Sequence, residues 1–464
     1  MNQKMSTPQF DWPLANAAEA LLRRYIATFL TQNEFARNLA DRMRDETGTD
    51  FFEWVDHIVV SPSEKNAFLD AGFVLDSESE TPDGEDVYEN PRATLPRVVL
   101  RPGEKQNPSV VALRPEFVAD FIAALNLSAE IEGEPLSRYR RAVVFEENGT
   151  RLEAVERHAY RGFVPAPLDF NQLRAIIKAK ELWHTRRRLF PNDSDGFHIA
   201  NKILNQSTQL IGHDLTCELF FASERAYWES RNRAAQIQKR RQDQLGLGWG
   251  NHDHHTFRCS REYFVDLIEF LLKLGFQKRE RYYAGAEAGW GAQISEQPVV
   301  GIVVFADVDL MPEETQIDFS TQKLPPAPRL GTVGLWVGLH GESFLEAGMH
   351  HLEARFDFNL LRDQLKSCGI NTMKPFSDFE FLRQAFTEGE RWHVRRERAD
   401  RLFTSRLITH EQFDQFMKEG AIGSHLENLQ RHGGFKGFNQ KSVSVVIAAT
   451  DPRKSHFAPT PVAA

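Results

Sequence analysis

Hydrophobic and polar positions follow two rhythms along this chain, and the rhythm changes several times. From Asn16 to Arg44 apolar residues recur at helical spacing, and the alanine-rich composition favours that state. At Trp54-Val55-Asp56-His57-Ile58-Val59-Val60 the pattern turns strand-like, and similar runs recur at 97–100, 109–113 and 142–146. The acidic, turn-rich stretch 76–89 reads as a loop. Glu147-Asn148-Gly149 predicts a hairpin into 150–157, because Asn-Gly readily takes the positive φ such turns need. On that strand Leu152 and Ala154 are expected to face a core, with Glu153 and Val155 on the other side. From about Asn171 to Leu247 the chain reads as helix again, with a last helix at 222–245 rich in Arg, Gln and Glu.

A second strand-rich stretch opens at His252-Asp253-His254-His255-Thr256-Phe257-Arg258. An amphipathic helix follows at 261–275, then strand-like runs at 279–284, 291–295 and 299–307. Alternate residues of a strand share a face, so His252, His254 and Arg258 are expected to project together and His255 away from them. After a proline-rich link (324–329) the pattern predicts a strand at 332–339 and a helix at 359–368 stopped by Gly369. Mostly charged helix is expected over 377–430, then a last apolar strand at 442–449.

With 464 residues the chain is too long for one ordinary core. The pattern divides it into an N-terminal helical segment (1–50), a first β-rich module (51–168) and a helical connector (169–250). A second βαβββ module (251–330), a C-terminal α/β region with a helical insertion (331–450) and an irregular tail (451–464) follow. A 41% hydrophobic, 26% charged composition describes a soluble globular protein. The net charge of −9 gives no reason to expect nucleic acid as a partner. No apolar run is long enough for a transmembrane helix, and the start lacks the apolar core of a secretion signal. Three widely spaced cysteines suit neither a disulfide framework nor a zinc finger. A cytoplasmic protein is expected, with oligomeric state open.

Three histidines and an aspartate directly before an arginine suit a metal site beside a carboxylate clamp. The order strand, helix, three strands, with a histidine on the first strand and a glutamate on a last one, resembles the vicinal oxygen chelate superfamily. Asp56-His57-Ile58-Val59 and Asp253-His254-His255-Thr256 look like its first-strand motif. Leu152-Glu153-Ala154-Val155-Glu156-Arg157 is similar to its last-strand motif. Within that group the likeness runs to the 2-oxoadipate dioxygenase/decarboxylase family. It rests on His254-x-x-x-Arg258, Leu274-Gly275, Tyr282-Tyr283, His351-Leu352-Glu353-Ala354-Arg355 and Cys368-Gly369-Ile370. Val443-Ser444 could correspond to a pair that this family places near its oxo acid. One departure stands out: there the ligand glutamate follows both histidines, whereas Glu153 precedes His254 and His351.

The resemblance implies an α+β protein whose βαβββ modules pair into a cupped half-barrel, with helical N-terminal, connector and C-terminal segments. It implies a metal held by His254, Glu153 and either His57 or His351, with Arg258 and Ser444 acting on substrate. The implied metal is Fe(II), with Zn, Mn or Ni as alternatives, and the implied partners are a small carboxylate and dioxygen. Two histidines and one carboxylate leave open positions on Fe(II) for a bidentate oxo acid and dioxygen. The same ligands serve redox-silent lyases and isomerases, and a cup without metal would be a small-ligand binding module.

Overall fold

The computed structural model describes residues 12–82, 84–102, 109–284, 289–439 and 450–453. Helices α1 (Asn16–Gln32) and α2 (Glu34–Arg42) lead into the first sheet, with Asn33 capping α2 through a bond from Ala36 N–H. The first module runs β1 (Val55–Val60), α3 (Lys65–Asp70), β2 (Val74–Leu75), β3 (Asp86–Glu89) and β4 (Arg97–Leu100). A second follows at once: β5 (Ser109–Leu113), α4 (Val118–Ala124), β6 (Ile131–Glu132), β7 (Tyr139–Glu147) and β8 (Thr150–Arg157). Together they form one sheet in the order β2-β3-β4-β1-β5-β8-β7-β6. First and last strands of each module pair in parallel (β1 with β4, β5 with β8), and β1 meets β5 antiparallel. The predicted hairpin joins β7 to β8, with Asn148 and Gly149 at φ of 48° and 72°.

The connector folds into α5 (Phe170–His184), α6 (Asp193–Ile211), α7 (His213–Glu229) and α8 (Arg233–Asp243). The single helix expected over 222–245 is broken because Asn232 turns and caps α8, accepting Ala235 N–H at 2.9 Å. Leu245 and Leu247 then enter the core of the first sheet. Between them Gly246, at φ 65°, lies so close to Asp120 and Phe121 that a Cβ would meet their backbone at 2.4 Å.

The second sheet repeats the plan. One module is β9 (His252–Arg258), α9 (Phe264–Lys273), β10 (Gln277–Tyr283), β11 (Trp290–Gln297) and β12 (Ile302–Asp309). Helix α10 (Thr332–His340) links it to β13 (His351–Arg355), α11 (Phe358–Ser367), β14 (Ser377–Phe379) and β15 (Leu382–Phe386). An inserted hairpin and helix pair, β16 (Arg391–Trp392), α12 (Arg396–Thr404), α13 (His410–Glu419) and β17 (Ala421–Ile422), precedes the closing strand β18 (His425–Arg431). The order is β10-β11-β12-β9-β13-β18-β15-β14, the same arrangement as in the first sheet. The architecture is therefore α+β, with βαβββ modules paired in each of two half-barrels. One β-rich unit expected at 51–168 contains two modules.

Two expectations fail for identifiable reasons. Residues 332–339 form a helix, not a strand: Asp309 on β12 accepts the N–H groups of Gly331, Val333 and Gly334, capping α10 from more than 20 residues away. Being buried nearly all round, α10 shows no amphipathic period to read. The stretch 377–430 contains strands β14 to β18 besides its two helices, since a strand buried on both faces can carry polar residues that pair across it. The expected strand at 442–449 lies outside the described residues. After β18 the chain returns to the N-terminal half: Gly433 accepts Ala15 N–H at 2.7 Å, Gly434 accepts Thr94 N–H at 2.8 Å, and Gly434 N–H reaches Glu19 at 2.9 Å.

Candidate functional site

The centre of the second sheet is a bulge. Leu352 pairs with His255 and Ala354 with His252, so β9 carries one residue more than β13, and Asp253 and His254 together oppose Glu353. This shift overturns the expected facing of His252. His252 packs beside His255, ring centres 5.3 Å apart, and His255 lies against Phe221 on the helix side. His254 instead turns to Glu353, and Thr256 and Arg258 line the cup.

Asp253 anchors His254. Its carboxylate lies 2.6 Å from His254 Nδ1 and is held by Arg355 at 2.7 Å and Arg431 at 3.1 Å. Burial would raise its pKa, but Arg431, His254 and Arg355 together hold it well below the usual carboxylate range. Asp253, His254 and Glu353 bring ligand atoms within 4.8 Å of one another. Arg431 Nη2 already stands among them, 3.1 Å from Asp253, 3.4 Å from His254 and 3.5 Å from Glu353. That triad is neutralised by a guanidinium.

A less compensated set lies beside it. Glu353 and Glu427 are register partners on parallel β13 and β18, and their carboxyl groups share a hydrogen bond. Burial first, and then the neighbouring Glu353 charge, drive the Glu427 carboxyl well above its ordinary range. His351 Nε2 lies 3.1 Å from one Glu427 oxygen, and Gln384 donates to the other at 3.1 Å. His254 Nδ1 lies 3.1 Å from Glu353. Two buried carboxyls flanked by two imidazoles carry the donor types of a divalent-cation site, and of these Glu353 and His254, with Asp253, bring ligand atoms within 4.8 Å of one another.

Arg258, 1% exposed, enters the same cup. One of its nitrogens donates to Thr450 at 3.1 Å, while Nε and Nη1 have no partner among the described residues. Burial lowers its pKa to about 10 and raises that of nearby Asp307 to about 7. A buried guanidinium with free donors is suited to a carboxylate. Phe305, Phe386, Phe438 and Trp290 supply apolar walls.

The sequence-derived ligand set does not assemble in one place. His254, His351 and Arg258 come together in the second cup. His57 and Glu153 lie in the first sheet, in one row across Ala112. The physical reason is topological: the strand bearing Glu153 closes its own module pair, joining β5 and β7, so it does not reach β9. Phe163 covers His57, ring centres 4.9 Å apart, and His57 Nδ1 is held by Asp56 at 2.7 Å. Ser444 lies outside the described residues.

Sequence reasoning takes Glu153 as the carboxylate ligand and misses Glu427 and Arg431. The signal is present as a repeat: Leu426-Glu427-Asn428-Leu429-Gln430-Arg431-His432 echoes Leu152-Glu153-Ala154-Val155-Glu156-Arg157-His158. The match is structural as well. Arg157 pairs with Asp56 at 2.8 Å and donates to the carbonyls of Tyr160 and Gly162; Arg431 pairs with Asp253 and donates to those of Phe435 and Gly437.

Among the described residues no helix is long and apolar enough to cross a membrane. Neither a family model nor a curated protein matches the chain. Solved structures that do match include a triple mutant of 4-hydroxymandelate synthase from Streptomyces coelicolor. It is 14% identical, with 86% of this chain and 98% of that one covered and a TM-score of 0.29. Methylmalonyl-CoA epimerase from Mycobacterium tuberculosis is 12% identical over 39% of this chain and 88% of its own, with a TM-score of 0.22. The uncharacterized protein YdcJ from Shigella flexneri is 12% identical over 60% of this chain and 82% of its own, with a TM-score of 0.24. Similarity at this level carries no chemistry, so the functional reading rests on the side chains described above.

Proposed function

We propose that this protein is a metal-dependent enzyme acting on a small 2-oxo or hydroxy carboxylic acid in the second cup, and that its reaction is an Fe(II)-dependent dioxygenation. The observation that carries the reading is the Glu353–Glu427 carboxyl pair set between His254 and His351, beside Arg258 with two free donors. His254, His351 and Glu427 would hold the metal, one from each of β9, β13 and β18, with Glu353 next to them. Fe(II) bound there supplies open positions for a chelating oxo acid and for dioxygen.

The chain's own residues prepare this site. Asp253 holds His254 at Nδ1, which fixes the ring. Gln384 orients Glu427. Arg258 would bind the substrate carboxylate through its unpaired nitrogens, and the aromatic walls exclude water. A redox-silent lyase or isomerase holding Mn, Zn or Ni is the second reading, and within it the extra carboxylate of Glu353 favours Mn, the hardest of the three.

The test is anaerobic purification, metal analysis and Fe(II) reloading, followed by oxygen-electrode assays with a panel of 2-oxo and hydroxy acids. Oxygen uptake that depends on iron and one acid is expected. One equivalent of another metal with turnover but no oxygen uptake would replace the dioxygenase reading with the second one. No metal binding at all would end both.

A further inference from the structure

A second cavity lies behind β9, where α7 meets the first sheet. Its volume is about 100 Å³, and Leu136, Ile176, Leu215, Leu219 and Trp249 give it apolar walls. Two arginines border it without forming an ion pair among the described residues. Arg225 on α7 is 5% exposed; among the described residues its Nε has no partner, and Nη1 reaches only His255 Nε2 at 3.4 Å. Arg114, just after β5, makes no side-chain hydrogen bond or ion pair among the described residues.

The other charges facing the cavity are mostly committed elsewhere. Arg157 is paired with Asp56 at 2.8 Å, and His158 with Glu156 at 2.7 Å. Glu116 accepts Trp249 N–H at 2.9 Å, and Glu218 lies 3.8 Å from His158. Lys180 stands at the rim. His252, which also lines the cavity, is held neutral, its pKa lowered to about 3 by burial and by Arg225. Burial lowers the pKa of Arg114, with Asp56 and Glu218 acting against it and Arg157 and Arg225 adding to it. The cavity thus joins apolar walls to a cationic end where Glu218 is the nearby anion and neither guanidinium forms an ion pair among the described residues.

We propose that this cavity is a second binding site, separate from the metal cup, for a small carboxylic acid with an apolar body. The carboxylate sits between Arg114 and Arg225, and the body lies against Leu219 and Trp249. The apolar walls disfavour inorganic phosphate, which has no surface to bury there. The size disfavours nucleotides, since pockets for larger ligands begin at roughly 300 Å³.

Calorimetric titration of the full chain with benzoate, and separately with inorganic phosphate, tests the site. Saturable benzoate binding is expected, weakened at least about tenfold by Arg114→Gln. Leu219→Trp, which fills the cavity without touching a charge, should weaken it comparably and serves if Arg114→Gln folds poorly. Arg258→Gln, in the metal cup, should leave benzoate affinity within about twofold. The proposal is overturned if wild type binds no benzoate at about 10 mM, or if phosphate binds more tightly. Loss of benzoate binding in Arg258→Gln, with Arg114→Gln and Leu219→Trp unaffected, would likewise assign the acid to the metal cup.

Discussion

The two half-barrels share a plan but differ at two positions in the middle of their sheets. Each first strand carries an Asp-His pair at a bulge, and each closing strand carries Glu and, four residues on, an Arg bound to that Asp. Where the second sheet has His351 and Glu353 on its central strand, the first has Val110 and Ala112, aligned through their pairing with β18 and β8. The first cup also holds an apolar cluster of Val59, Val87, Val99, Val110 and Phe163. Scaffold and site are therefore separable: the bulge and the Asp–Arg ion pair belong to both halves, whereas the paired carboxyls and the buried Arg258 guanidinium belong to one.

The strongest way to break this comparison is to exchange the two closing-strand acids. Glu427→Gln should lower metal affinity and turnover by more than about 100-fold, whereas Glu153→Gln should change neither detectably. Metal titration of both variants decides it, and equal losses would mean that the first cup also holds metal. The shared scaffold gives the next largest effect. Arg431→Met and Arg157→Met each leave a buried aspartate without its main partner, and each should cost about 3–5 kcal/mol in urea unfolding. A marked difference between them would show that the equivalence is only geometric.

Much of this duplication is legible in the residues themselves. The Asp-His first strands, the hairpin before β8 and the facing of Glu153 can be read because period-two alternation and Asn-Gly turns are local signals. Residues 425–431 do not read as a strand, since β18 carries polar groups that are satisfied by neighbours distant in sequence, such as Gln384 and Arg431 with Asp253. Helix α10 is hidden for the same reason, its cap being supplied by Asp309. The bulge at Asp253 inverts the face of His252, and pattern alone assumes an unbroken alternation.

Two smaller tests sharpen the contrast. His158 follows Arg157 and binds Glu156 and Glu218; burial opposes its charge, but the two glutamates raise its pKa to about 9. A raised histidine pKa contributes stability in full below its unfolded value of about 6.5 and loses it as pH rises through the folded value. Wild type should therefore lose on the order of 2 kcal/mol between about pH 6.5 and 9.5, and His158→Gln should flatten that slope. His432, the corresponding residue, is 43% exposed at its side chain. The smallest effect is expected from Phe163→Leu, about 1 kcal/mol by thermal unfolding, with metal affinity unaltered. A change in metal binding there would argue that the first cup communicates with the second.

The return of the chain after β18 bears on how the protein is made. Ala15, Glu19 and Thr94 find their partners in Gly433 and Gly434, more than 300 residues later. During synthesis the first half emerges long before those glycines exist, so its entrance helix waits with backbone groups unpaired. This seam can close only after both halves have been made, and a ribosome-stalled intermediate would expose it to proteases that the finished molecule resists.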